Sequence, residues 1–511
     1  MDGSQKAHSP RIVVIGAGIA GLAATLRLAA GGMNVTLIER HDHVGGKIRT
    51  VPSVAGPIDA GPTVLTMRGV FDELFAFAGE QLEAHVTMFR QETIARHFWP
   101  DGAKLDLFDT PEASAEAVAA FSSQKSADEF LAFSRRAKDL FEAFEAPMMR
   151  APEPRLSTMV GFALRNPALL PAMAPLSTLK SLLASSFTDP RLRQLFGRYT
   201  TYVGGAPSHS PAILALISHA EAMGVWAIDG GIHKMAEAIA HLAERRGARI
   251  ETGCHVTNLD RIPNGSFQIN LADGRSVPAN AVIYAGDPRA LGEGRLGQYL
   301  QGCAPQTQSA PSSFSARVHS FAATPKGPEL AHHNVFFDES PESEFRDLMS
   351  GALPENPSIY VCAMDRALGK PVPETERFEI ITNAPSRPGH LEDLETWHPK
   401  IMQKMARYGM SFHPIPTHST VTSEAMFAEM FPGSQGALYG QSPHGLLASF
   451  KRPTARTPLP NVYLAGGGCH PGAGVPMAAL SGQHAVEAIL NDRISASASH
   501  PMAMHGGTST A

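Results

Sequence analysis

The 511-residue chain sets 43 Lys and Arg against 48 Asp and Glu, a formal net charge of −5, and 43% of its residues are hydrophobic. These are the proportions of a folded globular chain long enough for about three lobes, and with no long basic run they argue against a nucleic-acid partner. The four cysteines, Cys254, Cys303, Cys362 and Cys469, make no C-x-x-C pair, so neither a zinc site nor a disulfide framework is expected, as suits a reducing cytosol.

Residues 1–10 are polar and read as loose. Ile12-Val13-Val14-Ile15 then reads as a short buried strand running into GAGIAG at 16–21. Apolar positions at Ile19, Leu22, Ala23, Leu26 and Ala30 recur at helical spacing until Gly31-Gly32, and a second strand, Val35 to Ile38, finishes at Glu39. In such a strand-helix-strand unit Gly16 permits the tight turn, Gly18 lets backbone approach a pyrophosphate, and Gly21 lets the helix pack on the sheet. Glu39, 18 residues after Gly21, is placed to accept hydrogen bonds from ribose hydroxyls and disfavours a 2′-phosphate. These glycines also explain why the apolar run Ile12 to Ala24 is not read as a targeting segment. A dinucleotide is expected, with FAD or NAD still open at this point.

Two further glycine-bearing segments follow, Val44-Gly45-Gly46-Lys47-Ile48-Arg49-Thr50 and Asp59-Ala60-Gly61-Pro62-Thr63. In the first, the glycine pair allows a loop to close over a dinucleotide, with Lys47 or Arg49 neutralising its phosphates. From about Met67 to Gly224 the pattern is mostly helical, alanine-rich near 111–146 and broken by prolines at 167–175, 190 and 207–211. The uncharged stretch between Arg165 and Lys180 is shorter than the ~20 residues a spanning helix needs and holds three prolines, so no transmembrane helix is expected. Gly224 to Gly231 leads into a helix at His233–Arg246, then strand-like stretches Arg249–Leu259 and Phe267–Leu271, a turn at Asp273-Gly274, and a buried strand at 281–286. Residues 288–450 mix strands, such as Ser358–Cys362 and Phe378–Thr382, with proline-rich loops. Asn461 to Ala465 is a last buried strand, followed by Gly466-Gly467-Gly468 and a helix from about Pro476 to Leu490. A small, polar tail closes the chain.

Taken together, the pair Gly45-Gly46 with its basic residue and Thr50 resembles the signature of the flavin amine oxidase and carotenoid desaturase superfamily. Lys47 stands where that pattern commonly has arginine, so the bidentate grip on phosphate is expected to pass to Arg49. Asp59 to Thr63 resembles the D-x-G-P-T segment of bacterial carotenoid desaturases, a loop near the flavin there. The run from Leu464 to Gly482, with Gly466, Gly467, Cys469, His470, Gly474, Val475, Pro476 and Met477, resembles their second flavin motif, which aims N–H groups and a helix N-terminus at the flavin pyrimidine edge. Val256 matches the family valine whose backbone contacts adenine, with a simple core valine as the alternative. Phe187-Thr188-Asp189-Pro190-Arg191, Tyr202 to Pro207 and Phe450-Lys451-Arg452-Pro453 extend the likeness from Arg11 to Leu490. The V-P-M-A-A-L-S-G ending and GGKIRT look most like the 1-hydroxycarotenoid 3,4-desaturases of photosynthetic bacteria.

The resemblance implies an α/β fold: a Rossmann-type FAD-binding domain from residues 11–66, 225–287 and 451–492, an inserted α+β substrate domain from 67–224 and 288–450, and a disordered tail at 493–511. It implies FAD as cofactor and removal of two hydrogens from an acyclic carotenoid, hydride going to the flavin while a proton leaves the neighbouring carbon. Oxygen or a quinone is the implied electron acceptor. Because a carotenoid resides in the bilayer, the enzyme is expected on the cytoplasmic face of the inner, photosynthetic membrane as a peripheral protein, with its helical lobe as the membrane-contacting part. Within that lobe Leu156–Phe187 is the candidate surface-seeking helix pair and an ordinary lobe helix the alternative. No catalytic residue is assigned; His444, Asp229 and His470 merely fall in glycine-rich segments. His332 and His333 are adjacent rather than at ligand spacing, so no metal is proposed. The rivals are phytoene desaturase, a carotenoid isomerase, an amine or porphyrinogen oxidase, and a non-catalytic prenyl-lipid carrier of the GDP-dissociation-inhibitor type.

Overall fold

The computed structural model describes residues 10–386 and 394–498, except 156, 158–160, 162–164, 166–172 and 175. The expected loose residues 1–9, and much of the candidate helix pair at Leu156–Phe187, lie outside the described residues; the part that is described includes the helix Leu179–Ser186.

Strand β1 (Arg11–Ile15) is an apolar run with no polar face, so it needs cover on both sides, the condition that favours a parallel sheet. It pairs in parallel with β2 (Asn34–Ile38) on one side and with Ala281–Tyr284 on the other. Arg249–Glu251 and Val462–Leu464 complete a five-stranded parallel sheet at its two edges. The period-two alternation divides the cover: Ile12 and Val14 join a core with helix α1 (Ile19–Ala30) and the helices His233–Arg245 and Val475–Ala498, while Val13 and Ile15 join a second core. That second core lies under the antiparallel strands Val256–Arg261, Phe267–Leu271 and Ser276–Ala279.

The stretch expected as one strand from Arg249 to Leu259 is therefore two. It breaks where Gly253 takes φ +67°, so 249–251 extend the parallel sheet while Val256 belongs to the covering layer. The last helix continues past Leu490 to Ala498, so residues 493–498 are helical where a disordered tail is expected; 499–511 lie outside the described residues.

A second sheet runs in the order Ser411–His413, Ser315–Lys326, Glu376–Ala384, Ile359–Ala363, His333–Phe336, Thr93–Phe98 and Lys104–Phe108, with Val421–Thr422 added beside Ser315–Lys326. Its last two strands come from the region expected to be mostly helical. The Asp101-Gly102 pair, with Gly102 at φ +84°, turns the chain between them, and the partner that makes Thr93–Phe98 a strand is His333–Phe336, remote in sequence. One face of this sheet carries Phe336, Ile359, Val361, Phe378 and Ile380 in a core with Trp397 and Ile401 of the helix Leu394–Arg407. The other face carries Val318, Ile381, Tyr360 and Val335 in register.

A helical layer, including Pro111–Phe121, Gln124–Phe144 and Pro190–Gly197, packs around Phe130, Phe133, Phe187 and Phe196. Its starts are legible: Thr110, Ser123 and Asp189 each accept a backbone N–H in the first turn of the helix they precede. No helix among the described residues is long and apolar enough to cross a membrane.

Candidate cofactor and substrate site

A cavity of about 930 Å³ opens where the parallel sheet ends, roofed by the inner face of the second sheet. Gly16, Gly18, Glu39, Gly45, Gly46, Lys47, Val256, Gly466, Gly467, Gly474 and Val475 line it, so two glycine turns, the glycine pair and the acid converge although they come from both ends of the chain. Gly16 makes the turn at φ +106°. A Cβ on Gly18 would meet nothing within 4 Å, and one on Gly46 would stand 3.0 Å from the Gly18 Cα. The two loops thus touch backbone to backbone, joined by the Gly45 N–H on the Ala17 carbonyl at 2.8 Å.

Helix α1 starts at Gly18 with no side-chain cap and no acid in its first turn, which leaves N–H groups and the positive end of the helix dipole for an anion. The helix Val475–Ala498 likewise starts at the cavity wall without an acid in its first turn. The Glu39 carboxylate accepts the N–H of Ala17 at 2.6 Å and of His41 at 2.9 Å, one per oxygen, and keeps lone pairs for a diol. Lys47 donates to the Leu438 carbonyl at 2.7 Å, and burial lowers its pKa from the usual lysine value, so an anion nearby would be stabilising. The donor set, the open Gly18 face and the acid fit a dinucleotide with a pyrophosphate over α1.

Five expected site residues do not line the cavity. Gly21 serves packing, since a Cβ there would fall 1.9 Å from the Gly16 carbonyl oxygen. Thr50 pairs with Asp59 in a two-residue ladder. Pro476 and Met477 lie just inside the last helix, behind Val475. Arg49 corrects the expectation of a phosphate grip: its guanidinium bonds Thr422 Oγ1 and lies 5.7 Å over the Phe427 ring, so Lys47 is the basic residue of this loop that faces the cavity.

The catalytic candidates are placed elsewhere. His470 bonds the Ala151 carbonyl at 2.8 Å and stacks near His484, and burial lowers its pKa to about 4. His444 Nε2 accepts the Ala206 N–H at 2.9 Å, and Asp229 pairs with Lys370 at 2.5 Å. None of the three lines the cavity. Burial pushes the Cys469 thiol up to about 12, far from a thiolate nucleophile. Asp59 acts as a tether, accepting the Ile232 N–H at 2.7 Å and facing His233 Nδ1 at 3.1 Å, which ties its loop to the helix His233–Arg245. Although adjacent, His332 and His333 are joined by Cys362, their ligand atoms within 4.8 Å of one another, but hydrogen bonds engage His332 with the Arg366 carbonyl and Cys362, and His333 with Tyr360.

Residues the motifs did not reveal complete the walls. Tyr284 ends the strand Ala281–Tyr284 and Asp287 follows it; Ala316, Val318 and Ile381 project from the second sheet; Phe427, Phe431 and Tyr439 come from the segment before the last strand. Arg452, buried, donates to the carbonyls of Gly467 at 2.9 Å and of Tyr439 and Gln441 at 3.0 Å, and so clamps the C-terminal glycine turn to this wall. The only sequence signal for it is its place in the Phe450 to Pro453 segment.

A dinucleotide cradle opening onto an apolar roof defines an oxidoreductase of the two-part nucleotide fold. The sequence profile of flavin containing amine oxidoreductases matches residues 19–318 and 427–490. Hydroxyneurosporene desaturase of Cereibacter sphaeroides is 50% identical, covering 96% of this chain and 99% of its own, and that of Rhodobacter capsulatus is 48% identical, covering 95% and 98%. A putrescine oxidase variant shares the fold at TM-score 0.61 and 14% identity over 94% of this chain and 99% of its own. The chain belongs to the flavin containing amine oxidoreductases and, within them, to the carotenoid desaturases. It is an FAD-dependent oxidoreductase.

Proposed function

We propose that the chain desaturates a hydroxylated acyclic carotenoid, adding the 3,4 double bond beside the 1-hydroxyl end. The observation that carries this reading is the near-full-length identity of 50% and 48% to two desaturases named for a hydroxylated carotenoid. FAD bound along the cradle supplies a two-electron acceptor for the hydride. The protein's own part is to hold and dry the reacting carbons. Ala316, Val318, Ile381 and Phe427 present an apolar wall to the polyene, and the uncapped start of α1 and the acid-free first turn of the last helix present N–H groups to anionic parts of the cofactor. Charge arising on the substrate is spread along the conjugated chain, which lessens the need for a strong base.

The reading extends to location: the enzyme works peripherally at the cytoplasmic face of the inner membrane, where its substrate dissolves, and passes electrons to oxygen or a quinone. Incubation of the flavoprotein with liposomes carrying either phytoene or a 1-hydroxylated acyclic carotenoid tests it. One added double bond at the hydroxylated end, seen as a red-shifted product spectrum, is expected; conversion of phytoene alone overturns it. Co-flotation with the liposomes is expected for the peripheral state, and recovery of all protein in the bottom fraction overturns that part.

A further inference from the structure

Glu379 is fully buried on the strand Glu376–Ala384, and neither of its carboxyl oxygens has a hydrogen-bond partner of good geometry. Such an orphaned group is costly, so its persistence in an interior requires a reason. Strand alternation puts Glu379 on the same face as Ile381, which lines the cavity, and register sets it between Ser320 and Cys362. The Asp59–Thr63 loop lies over it: Ser320 Oγ bonds the Asp59 carbonyl at 3.2 Å, and the Gly61 N–H is the nearby backbone donor. Glu379 lies directly behind the cavity wall: Gly61, whose N–H bears on this carboxyl, and Tyr439, whose hydroxyl feels its charge, both line the cavity as Ile381 does. Beside it Thr63 Oγ1, the Tyr360 hydroxyl and His333 Nδ1 form a chain with both links at 2.7 Å, so these neighbours are already engaged.

We infer that Glu379 is the residue that recognises the substrate's hydroxyl group, fixing which carbon pair of the end group is presented to the flavin. This rests on the proposed hydroxylated carotenoid. Burial, reinforced by nearby Asp59, pushes the carboxyl well above the usual range, favouring the neutral acid, while Arg49 acts in the opposite sense. A neutral acid offers one donor and one acceptor, the complement of an alcohol. An apolar chain lacking the hydroxyl leaves both oxygens unpaired, and sites built around such a bond reject the missing partner strongly.

The test compares wild type, Glu379→Gln and Glu379→Met on a hydroxylated and a non-hydroxylated acyclic carotenoid of equal length, with flavin content and melting temperature measured for each protein. Wild type is expected to favour the hydroxylated substrate by about 100-fold or more in kcat/KM. The Met variant should lose that preference through the hydroxylated substrate alone, and its affinity, read from the shift of the carotenoid absorption band, should fall in parallel. The Gln variant, which retains a donor and an acceptor, should keep most of the preference. In wild type, the infrared carbonyl stretch of the protonated carboxyl should move when the hydroxylated carotenoid binds, a readout that does not depend on the variants folding. An equal loss on both substrates, an unchanged preference in the Met variant, or an unmoved carboxyl band overturns the assignment of Glu379. Wild type that converts only the non-hydroxylated substrate overturns the proposed function instead.

Discussion

The backbone N–H of Gly45 donates to the carbonyl of Ala17 across 2.8 Å, so the second glycine loop hangs directly from the first. Gly45 holds φ +113°, and a Cβ there would fall 2.2 Å from the Ile48 carbonyl oxygen. Gly45→Ala should therefore displace the loop at a strain of about 1–3 kcal/mol and empty the cofactor cradle. The flavin-to-protein absorbance ratio checks this; full flavin content at the wild-type melting temperature would count against it.

Glu39 binds Ala17 and His41 through separate oxygens. If Glu39 holds the ribose as proposed, Glu39→Ala removes both acceptors at a loss of about 1.5–3 kcal/mol for hydrogen bonds to a charged group, so FAD should bind roughly 10- to 100-fold more weakly. Titration of apoprotein with FAD measures it.

Gly482 presses on α1: a Cβ there would lie 2.3 Å from the Ala20 carbonyl oxygen. The last residue of the C-terminal motif is thus a helix-packing residue. Gly482→Ala should cost about 1–3 kcal/mol by overpacking, seen as a lower denaturant midpoint.

Arg317 meets both oxygens of Glu424, at 3.1 and 3.0 Å, with both side chains almost wholly buried. Glu424→Ala leaves a buried guanidinium without its carboxylate and should destabilise the fold by about 3–5 kcal/mol. A midpoint unchanged in urea would refute this.

Buried histidines should make the fold acid-sensitive, at least four of them by large shifts. Burial lowers His97 and His319 to about 3, and His470 and His484 to about 4. Unfolded histidine protonates near 6.5, so below that pH the unfolded chain binds more protons, and stability falls down to the folded values. Glu344 and Glu379, raised by burial, act in the opposite sense on a smaller number of groups. The unfolding free energy should fall between pH 7.5 and 5.5 by about 1 kcal/mol per histidine, seen as a lower denaturant midpoint; equal midpoints would contradict the burial of neutral imidazoles.

The glycine turns were legible in the sequence because each is a requirement of the backbone alone: Gly16 needs its positive φ and Gly21 its closeness to Gly16 whatever else surrounds them. Side-chain direction was not legible. Arg49 turns toward Thr422, a partner far along the chain, and nothing local distinguishes it from Lys47. Thr93–Phe98 reads as part of a helical region until His333–Phe336 gives it an edge to pair with. Glu379 sits in a segment that reads as a strand, but its lack of a partner exists only once Ser320, Cys362 and the Asp59–Thr63 loop surround it.

The order of strands in the parallel sheet also bears on how the protein is made. Ala281–Tyr284 has β1 as one neighbour from the outset, but its other edge waits for Val462–Leu464, and α1 lacks its long helical partner until Val475–Ala498 follows. A chain emerging from the ribosome thus holds its first glycine turn through most of translation beside an uncovered sheet edge and an open groove. Retention of flavin becomes a late event of synthesis, and a product truncated before the last helix should emerge colourless.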